Sequence, residues 1–178
     1  TGIWKLLLGA VYKMVIAAGA YKVMGYFDTG TAWYHWVGYA YAYGIYLFFD
    51  FAGYSLMAVG SSYILGIETP ENFRQPFISR DIREFWDRWH ITLSHWFRDF
   101  IFTRFVMYSS KKKWFSTRLQ RACAGFFVDM GIMGLWHGIT PSYILYGLYH
   151  GLLLAATETY QKKSKFYKKH KNKTWYQV

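Results

Sequence analysis

The sequence predicts an all-α integral membrane protein, a bundle of transmembrane and interfacial helices around a polar tunnel. Of the 178 residues, 53% are hydrophobic and 23% aromatic. Asp50 is the only fully charged residue between Thr31 and Leu65, and Asp129 is the only one between Ala122 and Thr157. Runs of this length exceed the roughly 20 apolar residues that cross a bilayer. They favour several membrane spans over a soluble protein with unusually buried helices.

The first segment, GIWKLLLGAVYKMVIAAGAYKVM, is apolar but carries Lys5, Lys13 and Lys22. It has no small-residue cleavage site, so it does not resemble a signal peptide. A short span and an interfacial helix with extended lysine side chains both fit this pattern. The sequence alone leaves the two alternatives open.

The next segment predicts a span that contains Asp50, in YLFFDFAGYS. A carboxylate at this depth needs a partner, which we expect to be an arginine or a buried backbone group. We favour a structural pairing, and keep Asp50 as a candidate for the lining of the tunnel.

The stretch FWDRWHITLSHWFRDF, residues 85–100, mixes charge with aromatic side chains and predicts one helix. Glu84 and Arg88 stand four residues apart, as do Arg83 and Asp87, so each is expected to form an ion pair. Four further residues recur at the same interval and would share a polar face: Trp86, His90, Ser94 and Arg98.

A metal site is not predicted in this stretch. His90 and His95 are five residues apart, a poor spacing for two ligands on one helix face. The single cysteine, Cys123, excludes an internal disulfide and a CxxC site, and is interpreted as a packing residue.

The net charge of +11 is concentrated in two basic clusters. The first comprises Arg104, Lys111, Lys112, Lys113, Arg118 and Arg121; the second lies in the segment 161–178. Two apolar segments between them, 122–136 and 142–159, predict two crossings, which would place both clusters on the cytoplasmic face. Beside a membrane span, the basic segment indicates topology and contact with anionic phospholipid rather than nucleic acid.

The turn WHGITPSYILYG joins these two crossings. Gly138 is expected to end one helix, with Thr140 as the N-cap and Pro141 as the first residue of the next. His137 would then lie beside irregular backbone at membrane depth, which is tolerated only in protein or along a wet cavity. An ionisable residue there is a functional candidate, although a histidine bound to a backbone carbonyl is the alternative.

Three motifs in order, YLFFDFAGYS, ENFRQPFISRDIREFWDRWHITLSHWFRDF and MGLWHG, closely resemble the membrane-bound O-acyltransferase (MBOAT) family. The resemblance extends from about Gly2 to about Tyr160. From Phe100, the last residue of RDF, the sequence FIFTRFVMYSSKKKWF resembles the branch that D-alanylates teichoic acid, rather than the polysaccharide-acetylating branch, in which an IPLGG-like loop follows RDF. Because such proteins are longer, residues 1–178 are expected to form a single membrane domain that is the C-terminal part of an MBOAT core.

The resemblance implies transfer of a D-alanyl group from a thioester to a hydroxyl acceptor on the way to teichoic acid. It assigns His137 as catalytic and His90 as a second functional residue. Trp86 and Ser94, which share the predicted polar face with His90, and Asp50 are the candidates for substrate contact and tunnel lining. A neutral histidine is suited to remove the hydroxyl proton. A covalent acyl-enzyme through Ser94 remains the less favoured scheme, and which histidine performs which step stays open.

The donor would be 4'-phosphopantetheine on an acidic carrier protein in the cytoplasm, so that this chain binds no cofactor of its own. An apolar patch rimmed by positive charge suits such a partner. The candidate docking residues are Phe102, Arg104, Phe105, Val106, Met107 and Lys112. An interfacial anchor is the alternative for this segment.

The resemblance also implies further membrane proteins of the D-alanylation pathway as partners, and a multi-pass location in a Gram-positive plasma membrane. Two other functions are weighed against D-alanyl transfer. One is another MBOAT reaction, polysaccharide O-acetylation or lipid acylation from acyl-CoA. The other is a transporter with a polar pore, which would also place histidines and Asp50 in the membrane.

Overall fold

The apolar runs of the sequence form long helices, as predicted. The computed structural model describes residues 2–173, and about 80% of the chain is helical with no strand in that range. The α-helices are α1 (Gly2–Val11), α2 (Ala18–Asp28), α3 (Trp33–Ile64), α4 (Ile82–Trp86), α5 (Ile91–Phe97), α6 (Thr103–Lys111), α7 (Arg118–His137), α8 (Pro141–Lys163) and α9 (Lys165–His170). Two π-helical turns, Tyr12–Ala17 and Arg98–Phe102, and a 3₁₀ turn, Pro76–Ile78, complete the set.

The first compact unit, Thr1–Phe73, is built on two helices long and apolar enough to cross a membrane. The π-helical turn makes α1 and α2 one continuous helix, Gly2–Asp28, which packs antiparallel against α3. Gly9 meets Gly53 so closely that a Cβ on either would lie 2.6–2.7 Å from the other's carbonyl oxygen. Small residues allow such close contact between membrane helices.

Two of the three lysines of this first helix are paired with carboxylates of the same unit. Lys13 binds Asp50, and Lys5 binds Glu71. The prediction that Asp50 pairs with an arginine or a backbone group was therefore wrong. Its partner is a lysine, because the first helix packs against α3 and places Lys13 beside Asp50. The structural pairing that we favoured for Asp50 is what the structure shows.

The second compact unit, Arg74–Val178, contains α4 to α9. Its centre is the antiparallel pair α7 and α8, against which α4, α6 and the second π-helical turn pack. The core of this unit contains Trp86, Phe97, Phe126, Met130, Met133, Leu154 and Ala155. The unit therefore buries two aromatic residues of the stretch 85–100, Trp86 and Phe97, against the α7–α8 pair, whereas Trp96 and Phe100 are about half exposed.

The turn between α7 and α8 forms as predicted, with Gly138 after the last residue of α7, Thr140 as the N-cap and Pro141 at the first position of α8. Within residues 2–173, only Gly2–Asp28 and Trp33–Ile64 are long and apolar enough to count as candidate spans. The crossing of the membrane by 122–136 and 142–159 therefore stays a prediction.

The basic segment 161–178 has no boundary of its own in the fold, because α8 continues through its first residues to Lys163. The short helix α9 follows, with Ser164 accepting a hydrogen bond from the backbone N–H of Tyr167. Residues 174–178 of this segment lie outside the described residues.

Candidate active site

The stretch 85–100 does not form the single helix that its periodicity predicts. The helix α4 ends at Trp86, and α5 begins only at Ile91, with His90 in the left-handed region (φ 45°, ψ 53°). Arg88 explains the break, because its carbonyl accepts a hydrogen bond of 2.9 Å from the backbone N–H of Arg74. This carbonyl is thereby turned toward a neighbouring segment instead of along a helix axis.

The break means that the polar face predicted along one helix does not exist. His90 now precedes α5 as its N-cap residue, and Trp86 belongs to the preceding helix. Ser94 donates its hydroxyl hydrogen to the carbonyl of Trp89 at 2.9 Å. Histidine is among the residues that tolerate positive φ best, yet a non-glycine residue there is unusual and often marks a functional site.

One of the two predicted ion pairs of this stretch forms. Glu84 accepts from Arg88 at 2.6 Å, as predicted, and from Arg80 at 2.9 Å. These hydrogen bonds, that from Arg80 first, lower the pKa of Glu84 from 4.5 to about 2. The pairing of Arg83 with Asp87 was wrong, because Arg83 reaches a buried carboxylate of α8 instead.

The observed partners connect α4 to two other elements. Arg83 binds Glu158 of α8 at 2.7 Å, and Glu158 also accepts from Lys162 at 2.6 Å. Asp87 binds Arg98 at 3.3 Å. Arg83 pairs with Glu158 rather than with Asp87 because the side chain of Glu158 is only 6% exposed, and a buried carboxylate needs a cation beside it. These contacts hold the break before His90 against the α7–α8 pair.

His137 is the last residue of α7, beside the irregular turn, as the sequence predicts. Three aromatic rings lie beside it, with Trp136 at 4.8 Å, Tyr143 at 5.8 Å and Tyr146 at 5.9 Å between ring centroids, and the rest of His137 is exposed. The glycine that follows it leaves room for Tyr143, since a Cβ at Gly138 would lie 2.8 Å from that ring. Local sequence therefore sets the backbone around His137, and α8 supplies two of its neighbours.

His90 and His137 lie close enough to interact electrostatically. Burial is the main cause that lowers the pKa of His90 to about 4, and the charge of His137 lowers it further. His90 is therefore neutral at pH 7, with one ring nitrogen as a donor and the other as an acceptor. The structure thus brings together the two histidines that the sequence placed 47 residues apart, although their catalytic roles stay predictions.

Sequence reasoning missed two members of this aromatic surround, Tyr146 and His150. They lie one turn apart on α8 with ring centroids 4.6 Å from each other, and His150 meets Trp86 edge-on at 5.2 Å. A histidine in the apolar run 142–159 was the signal that pointed to this position. These rings connect the surroundings of His137 to Trp86.

Trp86 and Ser94 line a cavity of about 240 Å³ between α4, α5, α7 and α8. Asp129 also lines this cavity and is 5% exposed. It was noted in the sequence only as a lone charge in an apolar run. Asp50, the third candidate for the tunnel lining, lies in the first unit and binds Lys13.

The candidate docking segment is divided between core and surface. Phe102 stacks on Phe126 at 4.8 Å, and Val106 faces α7, where a Cβ at Gly125 would lie 3.1 Å from it. Phe105 is partly buried near Trp114. Phe102 and Val106 therefore support the fold, which their residue types alone did not reveal.

The exposed part of this segment consists of Arg104, Met107 and Lys112. Met107 is 52% exposed, and the ammonium of Lys112 lies 5.9 Å from the ring centre of Tyr108. An exposed methionine beside cationic side chains retains the chemistry predicted for a dock. Its use by a partner stays a prediction.

The family model for MBOAT, the membrane-bound O-acyltransferase family, matches residues 1–177. The chain belongs to this family. The resemblance stated from the three motifs is therefore confirmed, as is the prediction of an all-α membrane protein.

Three relatives illustrate the range of the family around this chain. The teichoic acid D-alanyltransferase of Bacillus subtilis is 47% identical over 174 residues, covering 94% of this chain and 43% of the relative. That of Streptococcus thermophilus is 42% identical, with 94% and 42% covered. A probable alginate O-acetylase, AlgI, of Pseudomonas putida is 44% identical over 127 residues, with 71% and 24% covered. The chain thus spans less than half the length of these relatives.

Proposed function

We propose that the protein containing this chain is a membrane O-acyltransferase that moves a D-alanyl group from a carrier-protein thioester to a hydroxyl on the way to teichoic acid. The observation that carries the proposal is that His90 and His137 lie within electrostatic reach of each other in a member of the MBOAT family. The relatives that match 94% of the chain at 42–47% identity bear the name teichoic acid D-alanyltransferase.

The proposed reaction needs a base and a donor to the developing oxyanion. The acceptor hydroxyl gives its proton to neutral His137, and its oxygen attacks the thioester carbonyl carbon. His90, neutral because of its lowered pKa, donates a ring N–H to the carbonyl oxygen as charge develops there. The C–S bond then breaks, and the thiolate takes the proton from His137. Direct transfer requires no covalent intermediate on Ser94.

The donor is proposed to be 4'-phosphopantetheine on an acidic carrier protein that binds on the cytoplasmic face. The antiparallel pairing of α7 and α8 supports this topology, because it places the basic start of α7 and the basic end of α8 at the same end. Positive residues favour the cytoplasmic side of a multi-pass protein. A Gram-positive plasma membrane, and other membrane proteins of the same pathway, complete the proposal.

O-acetylation of a polysaccharide is the second candidate function, since a probable alginate O-acetylase is 44% identical over 127 residues. Both reactions use a hydroxyl acceptor and need the same base. The acyl group and its carrier distinguish them, so the choice of donor decides between the two.

The test uses the full-length protein in proteoliposomes with carrier protein loaded with D-alanine, with acetyl-CoA as the competing donor. Thioester loss is measured for the wild type, His137→Ala and a control, His170→Ala, in the short helix α9. We expect His137→Ala to slow turnover by far more than tenfold, where a tenfold change corresponds to about 1.4 kcal/mol in the activation barrier. His170→Ala should turn over at the wild-type rate. Turnover of acetyl-CoA alone would establish the second function. Turnover within tenfold in His137→Ala would exclude its role as the base.

A further inference from the structure

The cavity of about 240 Å³ in the second unit is smaller than the roughly 300–1,000 Å³ of pockets for drug-sized ligands. It suits a group of a few heavy atoms. Its walls combine polar and apolar side chains. The lining includes Trp86, Ser94, Phe126, Asp129, Met130 and Leu154.

Two buried polar atoms of this cavity lack a hydrogen-bond partner among the residues that the structure describes. One is Oδ1 of Asp129, a residue 5% exposed, and the other is Nε1 of Trp86, a residue 7% exposed. Oδ1 of Asp129 is therefore a buried acceptor that no donor of the described residues satisfies. Since buried polar groups are nearly always paired, an unpartnered acceptor and an unpartnered donor on two residues that line one cavity indicate a ligand with complementary groups.

The two arginines that line the cavity are already paired with other carboxylates. Arg83 binds Glu158 at 2.7 Å, and Arg98 binds Asp87 at 3.3 Å. His95 lies 3.9 Å from Asp87 as well. No ion pair with Asp129 is found in residues 2–173, so its carboxylate is suited to a cation that a ligand brings.

We propose that this cavity is an aminoacyl subsite that binds the D-alanyl end of the donor. The ammonium group of D-alanine binds the carboxylate of Asp129, and the thioester carbonyl accepts a hydrogen bond from the indole N–H of Trp86. The methyl group packs against Phe126, Met130 and Leu154. The inference rests on the proposed function and adds a determinant of acyl specificity to it. An acetyl group offers the carbonyl and the methyl but no cation.

The subsite is separate from the reacting atoms. Asp129 precedes His137 by eight residues on α7, about 12 Å along the helix at 1.5 Å per residue. The nitrogen of a D-alanyl group is only two bonds from its carbonyl carbon, so a group held at Asp129 has not yet reached His137. Asp129 therefore acts in recognition, by compensating the cost of taking an ammonium into a protein interior.

The experiment measures binding of carrier protein loaded with D-alanine or with propionate, which has the same shape without the ammonium. His137→Ala serves as the common background so that both donors stay loaded during titration of the full-length protein. Asp129→Asn is compared with Asp99→Asn, a control carboxylate that is exposed and outside the cavity.

We expect at least a tenfold preference for the D-alanyl carrier when Asp129 and Asp99 are intact, retained in Asp99→Asn and lost in Asp129→Asn. Absence of a preference with Asp129 present, or its retention in Asp129→Asn, would overturn the subsite. Trp86→Phe supplies a second variant that keeps the ring. It should weaken both carriers by the same factor, because both present the carbonyl, and unchanged affinity would remove Trp86 from the site.

Two separate outcomes distinguish this inference from the proposed function. If the wild-type protein does not consume the D-alanyl thioester, the proposed function fails. If it does, but the preference is independent of Asp129, only the aminoacyl subsite fails. Thermal unfolding of each variant shows whether it is folded, and the preference with Asp129 intact tests the subsite even if Asp129→Asn does not fold.

Discussion

Replacing Gly134 with alanine should force apart the two helices that position His137. A Cβ at Gly134 would lie 2.4 Å from the carbonyl oxygen of Tyr143 and 3.2 Å from the Cα of Gly147. Ordinary contact begins at 3.4 Å, so the backbone of α8 must retreat by about 1.0 Å, the difference from 2.4 Å. Backbone atoms of a packed helix cannot swing aside as the end of a flexible side chain can.

The expected destabilisation follows from two opposing effects. Alanine in a helix interior is favoured over glycine by about 1 kcal/mol. Overpacking that shifts backbone costs about 1–3 kcal/mol, and the clash with a backbone oxygen belongs at the upper end. We therefore expect Gly134→Ala to lower the free energy of unfolding by about 1–2 kcal/mol. His137 lies one turn further along α7, and a misplacement of about 1 Å can slow turnover about 10²-fold.

Gly131→Ala is the matched control, one turn earlier on the same helix. A Cβ there would meet no atom within 4 Å, so stability should be unchanged or raised by up to about 1 kcal/mol. Thermal unfolding in detergent and thioester turnover in proteoliposomes are measured for both variants of the full-length protein. Equal behaviour of Gly134→Ala and Gly131→Ala in both assays would refute the close contact of α7 with α8.

Two further predictions concern the carrier dock and the charges around α4. Met107→Asp should weaken carrier binding at every salt concentration, whereas Lys112→Glu should mainly slow association, and this loss should fade with added salt. Titration of the carrier at low and high salt measures both effects. Unaltered binding in Met107→Asp would mean that the carrier binds elsewhere. The Glu84 carboxylate, with its pKa lowered from 4.5 to about 2, should stabilise the fold fully above pH 4.5 and lose that contribution as pH falls toward 2. Glu84→Gln should weaken the dependence of the free energy of unfolding on pH between about 4.5 and 2. The same pH dependence as in the wild type would contradict the pairing of Glu84 with Arg80 and Arg88.

Local sequence determined the features that depend on neighbouring residues. Long apolar runs produced long helices, because backbone groups away from water are satisfied most simply within a helix. Gly138, Thr140 and Pro141 set the turn beside His137, since each suits its own position at a helix end. The motifs around His90 and His137 were also sufficient to predict the family that the comparison confirmed.

Only the tertiary structure decided the features that depend on distant partners. The helix predicted through residues 85–100 is broken before His90, because the carbonyl of Arg88 binds the backbone of Arg74. Arg83 leaves its predicted partner four residues away, since Glu158, 75 residues later, is buried and needs a cation. Periodicity describes neighbours at three and four residues, whereas the cost of burying an unpaired charge is set by whatever the fold brings beside it.

The same distinction applies to the candidate dock and to the proposed subsite. Phe102 and Val106 have the apolar character of a binding surface, but their contacts with α7 make them part of the fold. Asp129 was visible in the sequence as one charge in an apolar run, but its unpartnered oxygen beside Trp86 was not. Composition and spacing thus determined the membrane helices, the turn and the candidate histidines. The tertiary packing decided which side chains are buried, which charges are paired and which polar atoms face a cavity, because those properties belong to contacts between segments far apart in the chain.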